Sequence, residues 1–212
     1  MLKVMIGNHC CLRLFTGMVV AACLFAVAGK STLSAKDSEA EAAYEAAAGL
    51  FNLGLWEQSA VAYKEYFKKH PRHTLAGHAH YGLGLCHVNM KNYASAAKEL
   101  KAAANSKGPD KVEANLYLGQ ALIMKSPPMP KDAEGAFETG LKSMGFLKKG
   151  FIKRTWDGKS VARWLENKDN KERKQLAADV FIGLLEATYL RGDWVSVVEK
   201  TAAFEGLIKG SR

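Results

Sequence analysis

The sequence predicts an all-α protein, a solenoid of stacked helix pairs, on three observations. Small residues recur at a near-constant spacing, aromatic residues recur at fixed offsets from them, and strand-like alternation of any length is absent. The small residues Ala47, Gly84 and Gly119 stand 37 and 35 residues apart. With 212 residues, 48% hydrophobic and 24% charged, the chain has the composition of one that folds.

The first unit begins at Ala43-Tyr44 and runs through Ala47, Leu50 and Phe51. Its second half opens on Gly54-Leu55-Trp56, continues through Ser59, Tyr63 and Tyr66, and closes at Pro71. The second unit reads Tyr81, Leu83, Gly84 and His87, then Asn92-Tyr93, Ala96, Leu100 and Ala103, ending near Pro109. A third reads Leu118-Gly119 and Leu122, then Asp132-Ala133, Ala136-Phe137 and Gly140-Leu141, its turn lengthened by Pro127, Pro128 and Pro130. A degenerate fourth copy covers Leu184 to Phe204 and includes Gly192-Asp193-Trp194. Small residues let paired helices approach closely, and aromatics and leucines at i, i+3, i+4 and i+7 fill the grooves between pairs. Ser38-x-x-Glu41 and Asp110-x-x-Glu113 read as capping boxes ahead of apolar runs.

These positions resemble the tetratricopeptide repeat (TPR), well over residues 40–141 and weakly over 176–207. The resemblance implies a right-handed superhelix of three clear units plus a degenerate C-terminal one. The Ala-x-x-Ala-x-x-Tyr register and the closing Tyr-x-x-Phe-x-x-x-x-Pro are similar to those of envelope TPR proteins of Gram-negative bacteria, of the Tol-Pal periplasmic coordinator and outer-membrane assembly lipoprotein type. Such kinship implies a scaffold for protein–protein interaction in the periplasm or outer cell envelope.

The organisation expected is a signal peptide over 1–35, three units over 36–141, a basic linker with a short helix over 142–175, and the degenerate pair over 176–212. The first 35 residues carry Lys3, Arg13 and Lys30 and no acidic residue. Leu14 to Ala28 is apolar apart from Thr16 and Gly17 and ends in the small-x-small pattern Ala26-Val27-Ala28, with a second cut site after Ala35. An uncleaved anchor is the alternative, although a run this short falls below the ~20 residues of a spanning helix. Val20-Ala21-Ala22-Cys23 also reads as a lipobox, which would make the chain a lipoprotein. Cleavage would remove Cys10, Cys11 and Cys23 and leave Cys86 as a buried, unpaired thiol.

The net charge of +9 is concentrated locally. Residues 142–175 hold 11 basic and 4 acidic side chains, so the excess belongs to one segment and predicts no nucleic-acid partner. Aromatics interleave with cations over 146–156, a pattern suited to a solvated linker or to contact with anionic lipid. His70, His73, His78, His80 and His87 have poor spacing for metal ligands. His80 and His87 take aromatic packing positions, and His70 and His73 flank a turn where solvation is expected. No Walker loop, Cys-x-x-Cys pair or nucleophile elbow occurs, so neither an enzyme nor a cofactor is predicted.

The resemblance implies that a peptide of another protein lies along a concave surface made by the first helices. Carried over position by position, that surface includes Tyr44, Phe51 and Asn52 of the first unit, His78, Tyr81, Leu85 and Asn89 of the second, and Leu116 and Gln120 of the third. The face is apolar and aromatic and lacks the Lys, Arg and Asn set that clamps a C-terminal carboxylate. The rival expectation is a membrane-associated scaffold, anchored through its leader or Cys23, with the basic segment on lipid.

Overall fold

The computed structural model describes residues 35–146 and 173–209. Eight helices occupy them, with no strand among the described residues: α1 (Ala35–Asn52), α2 (Trp56–Lys69), α3 (Ala76–Asn89), α4 (Tyr93–Asn105), α5 (Lys111–Met124), α6 (Pro130–Ser143), α7 (Lys174–Leu190) and α8 (Trp194–Lys209). Each helix packs on the next in chain order, and the first helices α1, α3, α5 and α7 also touch one another in turn. The all-helical class read from the sequence is therefore found, in an arrangement compatible with a helical repeat solenoid. The leader with Cys10, Cys11 and Cys23, and residues 147–172 of the basic segment, lie outside the described residues.

Within a pair the helices run antiparallel. In the first, Phe51 meets Trp56 with ring centres 4.8 Å apart, the Ser59 hydroxyl donates to the Ala47 carbonyl at 2.8 Å, and Tyr44 meets Tyr63 at 6.0 Å. In the last, Tyr189 meets Trp194 at 4.6 Å, Lys200 Nζ donates to Thr188 Oγ1 at 3.1 Å, and Phe181 stacks on Phe204 at 4.0 Å.

The turns that close the pairs repeat in detail. Gly54, Lys91 and Gly192 have φ of 75°, 60° and 81°, and the amide of each donates at 2.9 Å to the carbonyl three residues back. The next amide donates to the carbonyl five residues back, Leu55 to Leu50, Asn92 to His87 and Asp193 to Thr188. This double closure satisfies helix-end carbonyls and turns the chain through a left-handed residue. In the third unit Met129 closes onto Leu122 at 2.9 Å around the longer proline-bearing turn. Residues 174–209 thus share their turn with the first two units.

The helix starts differ from the sequence reading at two places. Asp110 caps α5 as expected, its Oδ1 accepting from the Val112 and Glu113 amides at 2.7 and 3.3 Å. Ser38 does not cap α1, which begins three residues earlier at Ala35. Ala35 and Lys36 are good helix formers, and Asp37 in the first turn favours the N-terminal end of the dipole. α7 begins at Lys174, inside the stretch read as linker.

The small residues make the joints. A Cβ on Gly84 would lie 2.7 Å from Leu100 Cγ, and one on Gly183 would lie 2.5 Å from Phe137 Cε1. The Phe137 ring also covers Gly119, so it is held between α5 and α7. Phe137, Phe181 and Phe204 are fully buried at the C-terminal end of the core, and each contributes about 1.5–3 kcal/mol by leaving water.

Candidate partner-binding face

The joints between successive first helices build a ladder of aromatic and acidic side chains. Tyr44 on α1 stands edge-on to His78 on α3 at 6.4 Å and also packs against Tyr63 and Tyr66 of α2. Tyr81 on α3 donates its hydroxyl to Glu113 Oε2 on α5 at 3.1 Å and meets the Tyr117 ring at 6.2 Å. Burial pushes the Tyr81 hydroxyl far up, and the neighbouring Glu113 carboxylate and Tyr117 add to the shift. Burial likewise raises Tyr44 and Tyr117.

Of the positions read from the sequence, Asn52, Asn89 and Gln120 are exposed on this face. Tyr44, Phe51, His78, Tyr81 and Leu85 are half-buried. Asn89 Nδ2 donates to the Leu85 carbonyl at 2.9 Å, and Phe51 rests on Trp56. Leu116 differs from the rest: it is 6% exposed and joins the core with Phe137, Phe181 and Leu184, because α7 covers α5. Its side chain is closed to a partner, whereas Met124 nearby is 54% exposed.

The turn geometry aligns α7 with the other first helices and adds one residue that sequence reasoning missed, Asp179. Glu41 and Glu113 share their register with Asp179, and all three are half-buried. Burial raises the Asp179 carboxyl, against a hydrogen bond from Gln175 at 2.9 Å. Across all four helices the positions that share these registers hold no Lys or Arg.

The histidines are packed more tightly than expected. His80 lies under Phe67 at 4.2 Å and pairs with Glu99 at 2.7 Å, and His87 is 8% exposed with Nδ1 unpartnered. His70 and His73 are not solvated. The turn folds back on Tyr66, so His70 is 5% exposed, and His73 Nδ1 accepts from the Tyr66 hydroxyl at 3.0 Å and the Leu75 amide at 3.3 Å. Among the described residues no group of three or more His, Cys, Asp or Glu side chains is arranged to hold a metal ion. Cys86 is fully buried and unpaired, its thiol donating to Ser59 Oγ at 3.3 Å and pushed up by burial.

Two depressions of about 310 Å³ lie at turns, one lined by Lys91 to Ser95 and Met124 to Ser126, the other by Asp37 and Lys69 to His73. No helix among the described residues is long and apolar enough to cross a membrane. The chain matches no protein-family model and no curated protein.

Proposed function

We propose that this chain is an exported TPR module, without enzymatic activity, that holds a segment of another polypeptide along its first-helix face. The reading is carried by one observation: Asn52, Asn89 and Gln120 stand exposed on helices that repeat in register, beside half-buried tyrosines. Exposed amides can bond a backbone laid across them, and aromatic anchors supply contact area at low entropic cost. The Glu41, Glu113 and Asp179 row, which has His78 at its second place and no Lys or Arg in the same registers, favours a partner segment that combines apolar side chains with Lys or Arg. Export to the periplasm or outer envelope is supported by the leader sequence, whose basic start and apolar run precede the described residues.

Site-specific photo-cross-linking in the producing cell tests the reading. A photoreactive residue at Asn89 or Gln120 is expected to yield a discrete polypeptide adduct, while the same residue at exposed Glu65 or Lys101 on the second helices yields none. Equal adducts from both sets, or none from either, would overturn it. N-terminal sequencing of the exported chain checks the address, with a start near Gly29 or Lys36 expected.

A further inference from the structure

The terminal pair repeats positions that the internal units bury and leaves them open. The buried sites Ala60, Ala97 and Glu134 on the second helices are 4%, 9% and 8% exposed, but Val198, which follows its turn at the same interval, is 70% exposed. On the first helices, Leu116 and Ile123 are 6% and 9% exposed beneath α7, whereas their register equivalents Ile182 and Tyr189 are 51% and 54% exposed. Leu190, Trp194 and Val195 extend this surface at 48%, 56% and 70% exposure. The surface therefore continues the stacking interface of the interior, with no further helix stacked upon it among the described residues. With two aromatics, which carry roughly 150–250 Å² each when whole, and four aliphatics, all exposed by about half to two-thirds, the side chains offer on the order of 500–700 Å², most of the ~800 Å² per partner of a standard interface. Isolated apolar residues are ordinary on a surface, but here Tyr189 meets Trp194 at 4.6 Å and Val195 and Val198 follow within one turn on α8, and a gathering of this size marks an association site.

We infer that the outer face of α7 and α8 binds the same face of a second copy of the chain, giving a two-fold dimer joined end to end. Among the described residues α1 exposes no large apolar side chain to match this surface. The exposed side of α1 carries Glu39, Ala42, Glu45, Ala46 and Gly49, which are small or acidic. A head-to-tail contact would set large apolar side chains against small and acidic ones, whereas the α7–α8 face can repeat its own contacts across a two-fold, which closes. Ile182, Tyr189 and Leu190 lie in the registers of the proposed partner face, at its α7 end, but the inference rests on their exposure and on that of α8 and stands without that reading.

Sedimentation equilibrium of the full-length chain tests it, with Val195→Glu and Val198→Glu as variants and Val61→Glu as control. Val61 is also an exposed valine, at 59%, but lies on α2. The wild type and the control are expected at the mass of two chains. Each of the two α8 variants should self-associate at least tenfold more weakly while keeping its helical circular dichroism. A wild-type mass of one chain at 100 µM, a dimer that survives both α8 substitutions, or species that grow beyond two chains would each overturn the inference.

Discussion

Lys200 Nζ lies 2.7 Å from Glu134 Oε1, and both side chains are withdrawn from water at 7% and 10% exposure. The pair ties α8 to α6 across 66 residues of sequence. Arg191 Nε approaches the other carboxylate oxygen at 3.3 Å, so one buried acid holds two cations. Removing one partner of a buried pair leaves an uncompensated charge. Glu134→Ala is therefore expected to cost about 3–5 kcal/mol. Lys200→Met should cost less, because it removes the buried cation and leaves Glu134 paired with Arg191. Denaturant midpoints of the two variants check the order, and equal losses would contradict it.

The Gly84 joint predicts a contrast between two glycines. A Cβ at Gly84 meets Leu100 Cγ at 2.7 Å and Cδ2 at 2.9 Å, and Leu100 is fully buried. Gly84→Ala should therefore destabilise by about 1–3 kcal/mol, and Gly84→Leu by no less. A Cβ at Gly135, exposed on α6, meets nothing within 4 Å. There the better helix propensity should dominate, and Gly135→Ala should stabilise by about 0.5–1 kcal/mol. Thermal melts of both proteins decide it.

Acid should weaken the fold in two stages. Burial, reinforced by Lys64, lowers the pKa of His87 below its ordinary 6.5. Below pH 6.5 the unfolded chain then takes up a proton that the folded chain refuses, and stability falls. Glu99 is lowered from its ordinary 4.5, chiefly by its hydrogen bond to His80. Its contribution is fully present above that value and is lost as pH falls through the lower folded one. In a pH series of denaturant midpoints, His87→Leu should flatten the first stage and Glu99→Gln the second.

Tyr81 serves both the fold and the proposed partner face, which separates two substitutions. Tyr81→Phe keeps the ring and loses the bond to Glu113, a cost of about 1.5–3 kcal/mol for a hydrogen bond to a charged group. Tyr81→Ala also withdraws the ring from Tyr117 and should cost more. Any effect of Tyr81→Ala on partner binding must therefore be compared with Tyr81→Phe at matched stability. Asn89→Ala gives up only a bond to its own helix, so it should lower partner capture and leave the melting midpoint within about 0.5 kcal/mol of wild type.

Local features were the legible ones. The turns at Gly54 and Gly192, the cap at Asp110 and the small residues at Ala47, Gly84 and Gly119 depend on near neighbours in sequence, and each was visible before the structure, whereas the left-handed Lys91 that replaces glycine in the second turn was not. The misread features depend on distant packing. Leu116 is closed off by α7, His73 is drawn inward by Tyr66, and Lys200 finds its acid 66 residues away. In the candidate face, the tyrosines and exposed amides follow from register, while the Glu113–Tyr81 bond and the place of Asp179 required the helices to be set side by side. Ser38 was misread for a different reason: a capping sequence is overridden when the residues before it also favour helix.

Phe137 carries a consequence for how the protein comes apart. Its ring belongs to α6 but fills the spaces left by Gly119 on α5 and Gly183 on α7. Drawing α7 away therefore removes one wall of the site that holds α5 and α6 together, and the damage does not stop at the terminal pair. Repeat arrays commonly unzip one unit at a time from an end. Here the last two units are fused into a single opening step, so amide protons of α5 and α7 should exchange with one shared free energy while those of α1 keep their own.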